Sequence, residues 1–268
     1  MHESVLFNYG LLQPSEPKLS ALSDALLFGK GVFTTVAIYE GEPFLWPKHW
    51  RRLKESSSKI GIDVGEFTET KTLRALDELI AANSVRNGRA RITFFDQSAN
   101  GPWPYRSELR TSLLIMTADR RPRPENYTLT VSPCHINSTS PLTAVKSSNY
   151  LEKILVLDEV KGRGFDEAIQ LNERDEITSA CMANVFWMRA GRLHTPSLST
   201  GCIAGTTREF VLERVECGEV GAGIEELRSA AEIFLTSAGL GIIQVSEFEG
   251  RKLKGESQLI SELLPLHP

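Results

Sequence analysis

One lysine lies in a sequence context suited to covalent chemistry. Lys146 is part of TAVKSSNY (residues 143–150), at the junction of a polar loop and the predicted start of a helix. The positive end of a helix dipole disfavours an ammonium group and lowers its pKa. A lysine that loses its proton can act as a nucleophile or form a Schiff base with an aldehyde. Because most lysines are solvent-exposed, this segment alone favours an ordinary surface lysine.

Three short motifs offer donors or charges that bind an anion. In AGTTR (residues 204–208), a glycine and two hydroxyl residues open a predicted helix, and the free N–H groups there suit a phosphate. In FLTSAG (residues 234–239), small and hydroxyl residues follow a predicted strand. In HWRRL (residues 49–53), an arginine on the buried side of a helix would require a bidentate anion. The simpler interpretations are a helix cap, a plain turn and a solvated basic face, respectively.

A segment with two prolines and no apolar residue divides the chain. It covers residues 119–126 (DRRPRPEN) and has predicted strands on both sides. Because proline stiffens such a segment and favours extended geometry in the residue before it, we interpret it as an interdomain linker. This predicts a smaller α+β domain over residues 1–118 and a larger domain over residues 127–268.

The first part predicts a hairpin, two amphipathic helices and two strands. A β-rich run over residues 31–38, a turn at Glu40-Gly41 and a return over residues 42–46 are typical of a hairpin. Helical spacing predicts one helix from about Lys48 and a second further along the chain. Their apolar residues are Trp50, Leu53 and Ile60 in the first helix, and Leu73, Leu76, Leu79 and Ile80 in the second. Strands are predicted over residues 89–95 and 111–117.

The second part alternates strands and helices, which predicts an α/β fold with a mixed sheet and packed helices. One helix is predicted to end near Gly162 and Gly164 and another to span residues 207–215. The apolar face of the first helix comprises Leu151, Ile154, Leu155 and Val160. The predicted strands cover residues 127–131, 167–171, 185–189, 232–236 and 242–247.

Composition argues against several classes of function. The 268 residues include 30 Lys and Arg and 34 Asp and Glu, and this net charge of −4 without basic runs argues against nucleic acid as the main partner. No apolar stretch approaches the ~18–20 residues of a membrane helix, and the N-terminus lacks a signal-peptide pattern. The four cysteines show no CxxC spacing, which argues against a metal site or a disulfide framework. We therefore expect a cytoplasmic protein with a small-molecule substrate and no membrane partner.

Taken together and in order, these motifs resemble the class IV aminotransferase family, the fold type IV enzymes of pyridoxal 5′-phosphate (PLP). The order is an arginine on an early helix, a lysine after the linker, ANVFW (residues 183–187), GTTR (residues 205–208) and a Thr-Ser turn. The segment SDALLFGKGVFTT (residues 23–35) is similar to the family's opening motif. The resemblance implies a two-domain fold of the D-amino-acid aminotransferase type. It also implies PLP between the domains and a homodimer.

The resemblance implies roles for individual residues. Lys146 matches the lysine that forms the Schiff base with PLP, and Arg52 matches the arginine that binds the cofactor phosphate. Tyr150 matches a tyrosine beside the ring, where it would bind the phenolic oxygen. The implied phosphate-binding positions are Gly205, Thr206, Thr207, Ser237 and, through its amide, Ala238.

The substrate side is less defined by sequence. Phe28 falls where many members have a substrate-side tyrosine, and Lys30 replaces a usual aspartate without an assignable role. The loop QSANGPWPYR (residues 97–106) matches a region that covers the active site in the family, often from the partner subunit. Arg106 or Arg110 is therefore a candidate ligand for a substrate carboxylate. A surface loop with packed aromatic residues is an equal alternative.

One departure from the family pattern bears on the chemistry. The family has an Asn-x-Phe motif, and five residues before its Asn lies a glutamate that keeps the pyridine nitrogen protonated. In this sequence the Asn is Asn184, and the residue five positions before it is Ser179. Glu176 would point to the opposite face of an extended segment, and Asp175 would lie roughly 13 Å away, so we expect neither to replace it. A serine hydroxyl can instead donate to an unprotonated nitrogen, which would weaken the electron sink.

Elimination needs less charge delocalisation than full transamination, so Ser179 favours elimination. Local motifs at residues 33–35 and 183–187 also look more like aminodeoxychorismate lyase, although those lyases usually keep the glutamate. We expect a lyase reaction that gives pyruvate and 4-aminobenzoate, a folate precursor. The alternatives are a class IV aminotransferase acting on branched-chain or D-amino acids, and a PLP-binding protein without catalytic activity.

Overall fold

The computed structural model describes residues 1–99, 110–122, 125–253 and 258–263. The chain forms two compact units, Met1–Arg121 with Val145–Asn149, and Pro122–Ala144 with Tyr150–Pro268. Residues 145–149, which the linker position would place in the second domain, group with the first unit, because Ser147 pairs with Val32. Residues 123 and 124 of the predicted linker lie outside the described residues.

The first unit contains a six-stranded antiparallel sheet with the order β2-β1-β6-β5-β3-β4. Its strands are β1 (Val5–Phe7), β2 (Gly10–Leu12), β3 (Gly31–Tyr39), β4 (Glu42–Pro43), β5 (Gly88–Asp96) and β6 (Thr111–Asp119). The predicted hairpin is confirmed as β3 and β4, but its return strand ends at Pro43 rather than Trp46, which belongs to a helix. Glu40 and Gly41 connect them with positive φ angles of 49° and 86°, which a tight two-residue hairpin turn requires.

Three helices complete the first unit: α1 (Asp24–Phe28), α2 (Trp46–Lys59) and α3 (Glu69–Ala82). The two predicted amphipathic helices are thus confirmed, and α2 starts slightly earlier than predicted, with Pro47 in its first turn. The side chain of Thr68 caps α3 by accepting a bond from the Lys71 N–H. The apolar faces of both helices join one buried core with residues of the sheet, such as Val36 and Ile92.

The second unit contains two five-stranded sheets, with the orders β12-β11-β10-β13-β14 and β16-β15-β7-β8-β9. The strands are β7 (Thr128–Val131), β8 (Glu167–Leu171), β9 (Ile177–Ala180), β10 (Asn184–Arg189), β11 (Arg192–Pro196), β12 (Gly218–Val220), β13 (Glu232–Ser237), β14 (Gly241–Gln244), β15 (Glu247–Phe248) and β16 (Arg251–Lys252). The helices are α4 (Leu151–Gly162), α5 (Thr206–Leu212), α6 (Glu225–Arg228) and α7 (Gln258–Leu263), with a 3₁₀ turn at Leu198–Thr200.

The single strand predicted over residues 242–247 is in fact two strands in different sheets. β14 pairs with β13, whereas β15 pairs with β7 and β16. Between them, the backbone N–H of Val245 donates to Ile233 and that of Ser246 donates to Tyr127, so each residue is bonded to a different sheet.

The buried side of α4 also differs from the predicted apolar face. Leu151, Ile154 and Leu155 are exposed, whereas Val156 and Val160 are buried against Ala168 of β8 and its surroundings. The inward side therefore follows positions 153, 156 and 160. The first of these is a partly buried lysine, which a search for periodic apolar residues does not detect. Among the residues that the structure describes, no helix has both the length and the apolar character needed to cross a membrane.

Candidate active site

Lys146 lies in a short extended segment that pairs with β3. The N–H of Phe33 donates to the carbonyl of Lys146 at 2.9 Å, and the N–H of Ser148 donates to the carbonyl of Gly31 at 2.8 Å. The Lys146 amine lies 4.4 Å from the centroid of the Phe33 ring. Because α4 begins only at Leu151, the predicted helix-dipole effect on Lys146 was wrong: that effect is confined to the first turn.

A threonine of β3 connects two residues of α2. The buried Thr34 Oγ1 accepts a bond from a guanidinium nitrogen of Arg52 at 2.7 Å and lies 2.7 Å from Nδ1 of His49. Burial, together with the charges of Arg52 and Lys146, holds the pKa of His49 well below its usual range, so the ring is neutral. A hydroxyl oxygen can accept two bonds, so the contact between Thr34 and Nδ1 forms with either tautomer of the neutral ring.

The same end of β3 therefore brings Lys146 and Arg52 into one electrostatic environment. Both charges act on the buried His49 ring. A third cation, Arg91, lies with its guanidinium 3.5 Å from the Phe33 centroid, since it is the diagonal neighbour of Phe33 across β3 and β5. Arg91 and Lys146 thus share the Phe33 ring, whereas Arg52 is bonded to Thr34, the next residue of the strand. Arg91 was missed by the sequence analysis, because only the strand register brings it to Phe33.

Lys30, which had no predicted role, forms an ion pair with Asp96. Its amine lies 2.8 Å from the buried carboxylate, which also accepts bonds from the N–H and hydroxyl of Ser98. Burial raises the pKa of Asp96, but the bonds from Lys30 and Ser98 outweigh it and lower the pKa overall. Lys30 thus stabilises the end of β5.

The predicted substrate-side residues make none of the contacts described above or lie outside the described residues. Phe28 is the last residue of α1, and its side chain is 38% exposed. Arg110 is exposed, and its N–H donates to the hydroxyl of Ser98 at 3.0 Å. Arg106 lies outside the described residues. The proposed contact of an arginine with a substrate carboxylate therefore stays a prediction.

In the second unit, the start of α5 forms a close bend beside β10. Gly205 is the N-cap residue, and Thr206 begins the helix. The amide of Asn184 donates to the carbonyl of Ile203 at 2.8 Å. A Cβ atom on residue 205 would lie 2.0 Å from Oδ1 of the same asparagine, so only glycine permits this approach.

Two buried hydroxyls accompany this bend. Oγ1 of Thr207 and Oγ1 of Thr236 have no hydrogen-bond partner within the described ranges. Thr236 is the cross-strand partner of Asn184 in the pair β10–β13. Because a buried hydroxyl without a partner costs free energy, both are suited to a ligand with hydrogen-bond acceptors, and phosphate oxygens are such acceptors. These residues fit the phosphate of PLP, and Thr236 was not among the predicted positions.

Ser237 and Tyr150 have structural roles as well. Ser237 ends β13, and its Oγ accepts a bond from the N–H of Leu240 at 3.2 Å in the turn that includes Ala238. Residues 237–240 thus form the turn of the simpler interpretation. The Ser237 hydroxyl can still donate its proton to a ligand. Tyr150 is the N-cap residue of α4 and is partly buried.

Ser179 lies on β9 opposite Gln170 of β8, and both side chains are buried. Cross-strand partners point to the same face of a sheet, so the two polar groups share one environment. The nearby carboxylates are engaged elsewhere: Glu176 forms an ion pair with Arg174 at 2.7 Å, and Asp175 contacts a histidine ring at 3.0 Å. That neither carboxylate replaces the family's glutamate stays a prediction.

A family model described as amino-transferase class IV matches residues 31–248. The chain belongs to this family. It is a PLP-dependent class IV enzyme. This confirms the resemblance seen in the sequence.

Relatives with different reactions are similar to this chain. It is 28% identical to the aminodeoxychorismate lyase of Bacillus subtilis (strain 168) over 91% of this chain and 86% of the relative. It is 27% identical to the D-alanine aminotransferase of Bacillus licheniformis over 93% and 89% of the two chains. The branched-chain aminotransferase from Thermoproteus uzoniensis, crystallised with norvaline, aligns with a TM-score of 0.90 at 26% identity, over 97% of this chain and 92% of that one. The predicted fold type IV architecture is confirmed.

Proposed function

We propose that this enzyme catalyses an elimination of the aminodeoxychorismate lyase type, converting 4-amino-4-deoxychorismate to 4-aminobenzoate and pyruvate. The observation that supports this proposal is Ser179, a hydroxyl group where the family has a carboxylate, with Glu176 and Asp175 engaged elsewhere. The similarity to the lyase of Bacillus subtilis supports the same reaction. Such an enzyme would serve folate biosynthesis in the cytoplasm.

The residues would divide the work as follows. PLP, when bound, supplies the electron sink that stabilises negative charge on the substrate α-carbon. Arg52 would bind the phosphate with the hydroxyl and amide groups of the α5 bend and the following turn. Lys146 would hold the cofactor covalently and then remove the proton from the α-carbon with its free amine. Tyr150 would bind the phenolic oxygen, and the Ser179 hydroxyl would face the ring nitrogen. The phosphate ligands would be Gly205, Thr206, Thr207, Ser237 and Ala238.

The reaction is tested with the purified PLP-loaded enzyme and 4-amino-4-deoxychorismate. We expect stoichiometric pyruvate, measured with lactate dehydrogenase and NADH, together with 4-aminobenzoate, measured by its fluorescence. The visible absorption of the bound cofactor should persist through many turnovers. Rapid loss of that absorption with common L- or D-amino acids, without pyruvate from 4-amino-4-deoxychorismate, would overturn the lyase assignment.

An aminotransferase is the second candidate, favoured by the 27% identity to a D-alanine aminotransferase and the likeness to a branched-chain aminotransferase. A panel of L- and D-amino acids paired with 2-oxo acids distinguishes it. Ser179→Glu is informative in both cases, because restoring the carboxylate should raise transamination relative to elimination. An unchanged ratio would show that residue 179 does not tune the ring.

The covalent role of Lys146 is tested separately. Borohydride reduction of the PLP-loaded enzyme, followed by peptide mapping, should place the label on Lys146 and leave the exposed Lys54 of α2 unmodified. Label at Lys146 without either reaction would indicate a PLP-binding protein that lacks catalytic activity. Light scattering tests the homodimer that we propose from the family resemblance.

A further inference from the structure

A lysine and a glutamine form a polar contact under the first turn of α4. The ammonium of Lys153 donates to Oε1 of Gln170 at 2.8 Å, and Gln170 is fully buried on β8. The proposed mechanism assigns neither residue a role. Both lie in the second unit, next to the position of Ser179.

The lysine fixes the orientation of the glutamine amide. An ammonium group has three donors and no acceptor, so the atom that it contacts is the amide oxygen. The amide nitrogen, Nε2, then lies on the other side of the group. It is buried and has no hydrogen-bond partner in the part of the chain that the structure describes. A buried N–H without a partner costs about 1–3 kcal/mol, so such a donor is expected to serve a neighbouring acceptor.

Ser179 is the acceptor best placed for this donor. It is the direct cross-strand partner of Gln170, and such partners have Cβ atoms roughly 4.5–5.5 Å apart on the same face. At that separation the Ser179 hydroxyl can turn towards Nε2 by rotation of its own side chain, while Lys153 keeps its contact with Oε1. Ser179 is itself buried, so water does not compete freely for its hydroxyl.

We propose that Gln170, oriented by Lys153, is a positioning residue that donates its amide N–H to the Ser179 hydroxyl and thereby directs the hydroxyl proton to an unprotonated pyridine nitrogen of PLP. This inference rests on the proposed function in one respect, namely that Ser179 faces that nitrogen.

The reason lies in the single proton of a hydroxyl group. When Ser179 accepts from Gln170, its own O–H is left to donate to the ligand, and a donor stabilises a nitrogen that carries a lone pair. The ammonium of Lys153 adds a positive charge on the same side, which opposes protonation of the ring. Burial lowers the pKa of Lys153, whereas Cys181, Glu167 and Glu152 act in the opposite direction. Burial raises the pKa of Cys181 to about 11 and that of Glu167 to about 7, so these groups offset the charge of Lys153 only in part near neutral pH.

The test measures the protonation state of the ring nitrogen directly. The enzyme and its variants are loaded with PLP carrying ¹⁵N in the pyridine ring, and the ¹⁵N chemical shift is compared with free PLP below and above its pyridine pKa. We expect the wild-type enzyme to give the shift of an unprotonated, hydrogen-bonded nitrogen. Gln170→Glu has the same shape but offers only acceptors to Ser179, so the hydroxyl should turn and the shift should move to the pyridinium range.

Two further variants provide controls. Lys153→Met leaves the amide free to rotate, and we expect a shift between the two limits. Lys161→Met makes the same change of charge at an exposed position of the same helix, and we expect the wild-type shift. If Gln170→Glu does not fold, Ser179→Ala takes its place: loss of the hydroxyl donor should move the shift towards a lone pair without a hydrogen bond.

The outcomes separate this inference from the function on which it rests. If peptide mapping finds no label on Lys146, the proposed function fails. If Lys146 is labelled but the wild-type nitrogen is already a pyridinium, or the shift is the same in wild type and Gln170→Glu, the role of Gln170 is overturned while the PLP chemistry stands.

Discussion

Glu167 is a buried carboxyl group whose ionisation should control the pH dependence of folding. It lies on β8 with 2% of its surface exposed, and Oε1 accepts a bond from the N–H of Met182 at 2.5 Å. Burial raises the pKa of Glu167 from 4.5 to about 7, although the Met182 bond and the charge of Lys153 act in the opposite direction. The folded state therefore keeps a proton that the unfolded chain loses near pH 4.5.

The sign and size of the effect follow from this difference. Because the pKa is raised on folding, the folded protein is favoured below about pH 4.5 and loses stability as the pH rises towards 7. The difference between a pKa of 4.5 and one of about 7 corresponds to a loss of at most about 3 kcal/mol in the free energy of unfolding once Glu167 is fully ionised. Glu167→Gln keeps an acceptor for the Met182 N–H and cannot ionise, so it should remove this loss.

The assay is urea unfolding of wild type and Glu167→Gln at several pH values from 4.5 to 8. The variant should gain stability relative to wild type as the pH rises, by up to about 3 kcal/mol at pH 8. Glu152→Gln makes the same chemical change at an exposed position and serves as the control, with an expected difference from wild type that does not vary in this way. A constant difference between wild type and Glu167→Gln from pH 4.5 to 8 would refute the reasoning.

Three further predictions concern other contacts. Gly205→Ala places a Cβ 2.0 Å from Oδ1 of Asn184 and should weaken PLP binding by about tenfold or more in a fluorescence titration, whereas Gly162→Ala, with no atom within 4 Å of the new Cβ, should leave it unchanged. Thr34→Val removes the partner of Arg52 and His49 and should cost about 1–3 kcal/mol in urea unfolding; a loss no larger than that of Thr35→Val would contradict the assigned network. Bonds from Ser138 lower the pKa of Glu173 to about 2, so Ser138→Ala should raise this pKa towards 4.5 in an NMR titration. In the wild type, the stability from these bonds is present above pH 4.5 and is lost as the pH falls towards 2, and in the variant this loss should be smaller. An unchanged pKa of Glu173 would show that the Ser138 hydroxyl does not cause the shift.

Local patterns were sufficient for many elements of the fold. The alternation around Glu40-Gly41 encodes a hairpin, and the apolar spacing in α2 and α3 encodes amphipathic helices, because in both cases the signal lies within a few residues. Strand β8 was predicted with its observed bounds for the same reason. By contrast, the division of residues 242–247 between two sheets depends on distant partners, Ile233 and Tyr127.

The candidate site shows the same division between local and tertiary information. The family resemblance supplied the proposed roles of Lys146 and Arg52, whereas the residues alone left an ordinary lysine and a basic helix face as the simpler interpretations. Thr34 and Arg91 were not predicted, since only the pairing of β3 with β5 and the packing of α2 bring them into contact. Lys153 was missed for a different reason: a charged residue on a buried helix side breaks the apolar pattern that periodicity detects.

The return of residues 145–149 to the first unit has a practical consequence for protein engineering. The polypeptide leaves that unit after Arg121 and comes back before continuing into α4, so the unit is not encoded by one uninterrupted stretch of gene. A fragment ending at Arg121 would lack the peptide that pairs with Gly31 and Phe33, and this peptide includes Lys146. Recombination with homologous genes should therefore exchange residues 145–149 together with the amino-terminal portion, as one inherited block.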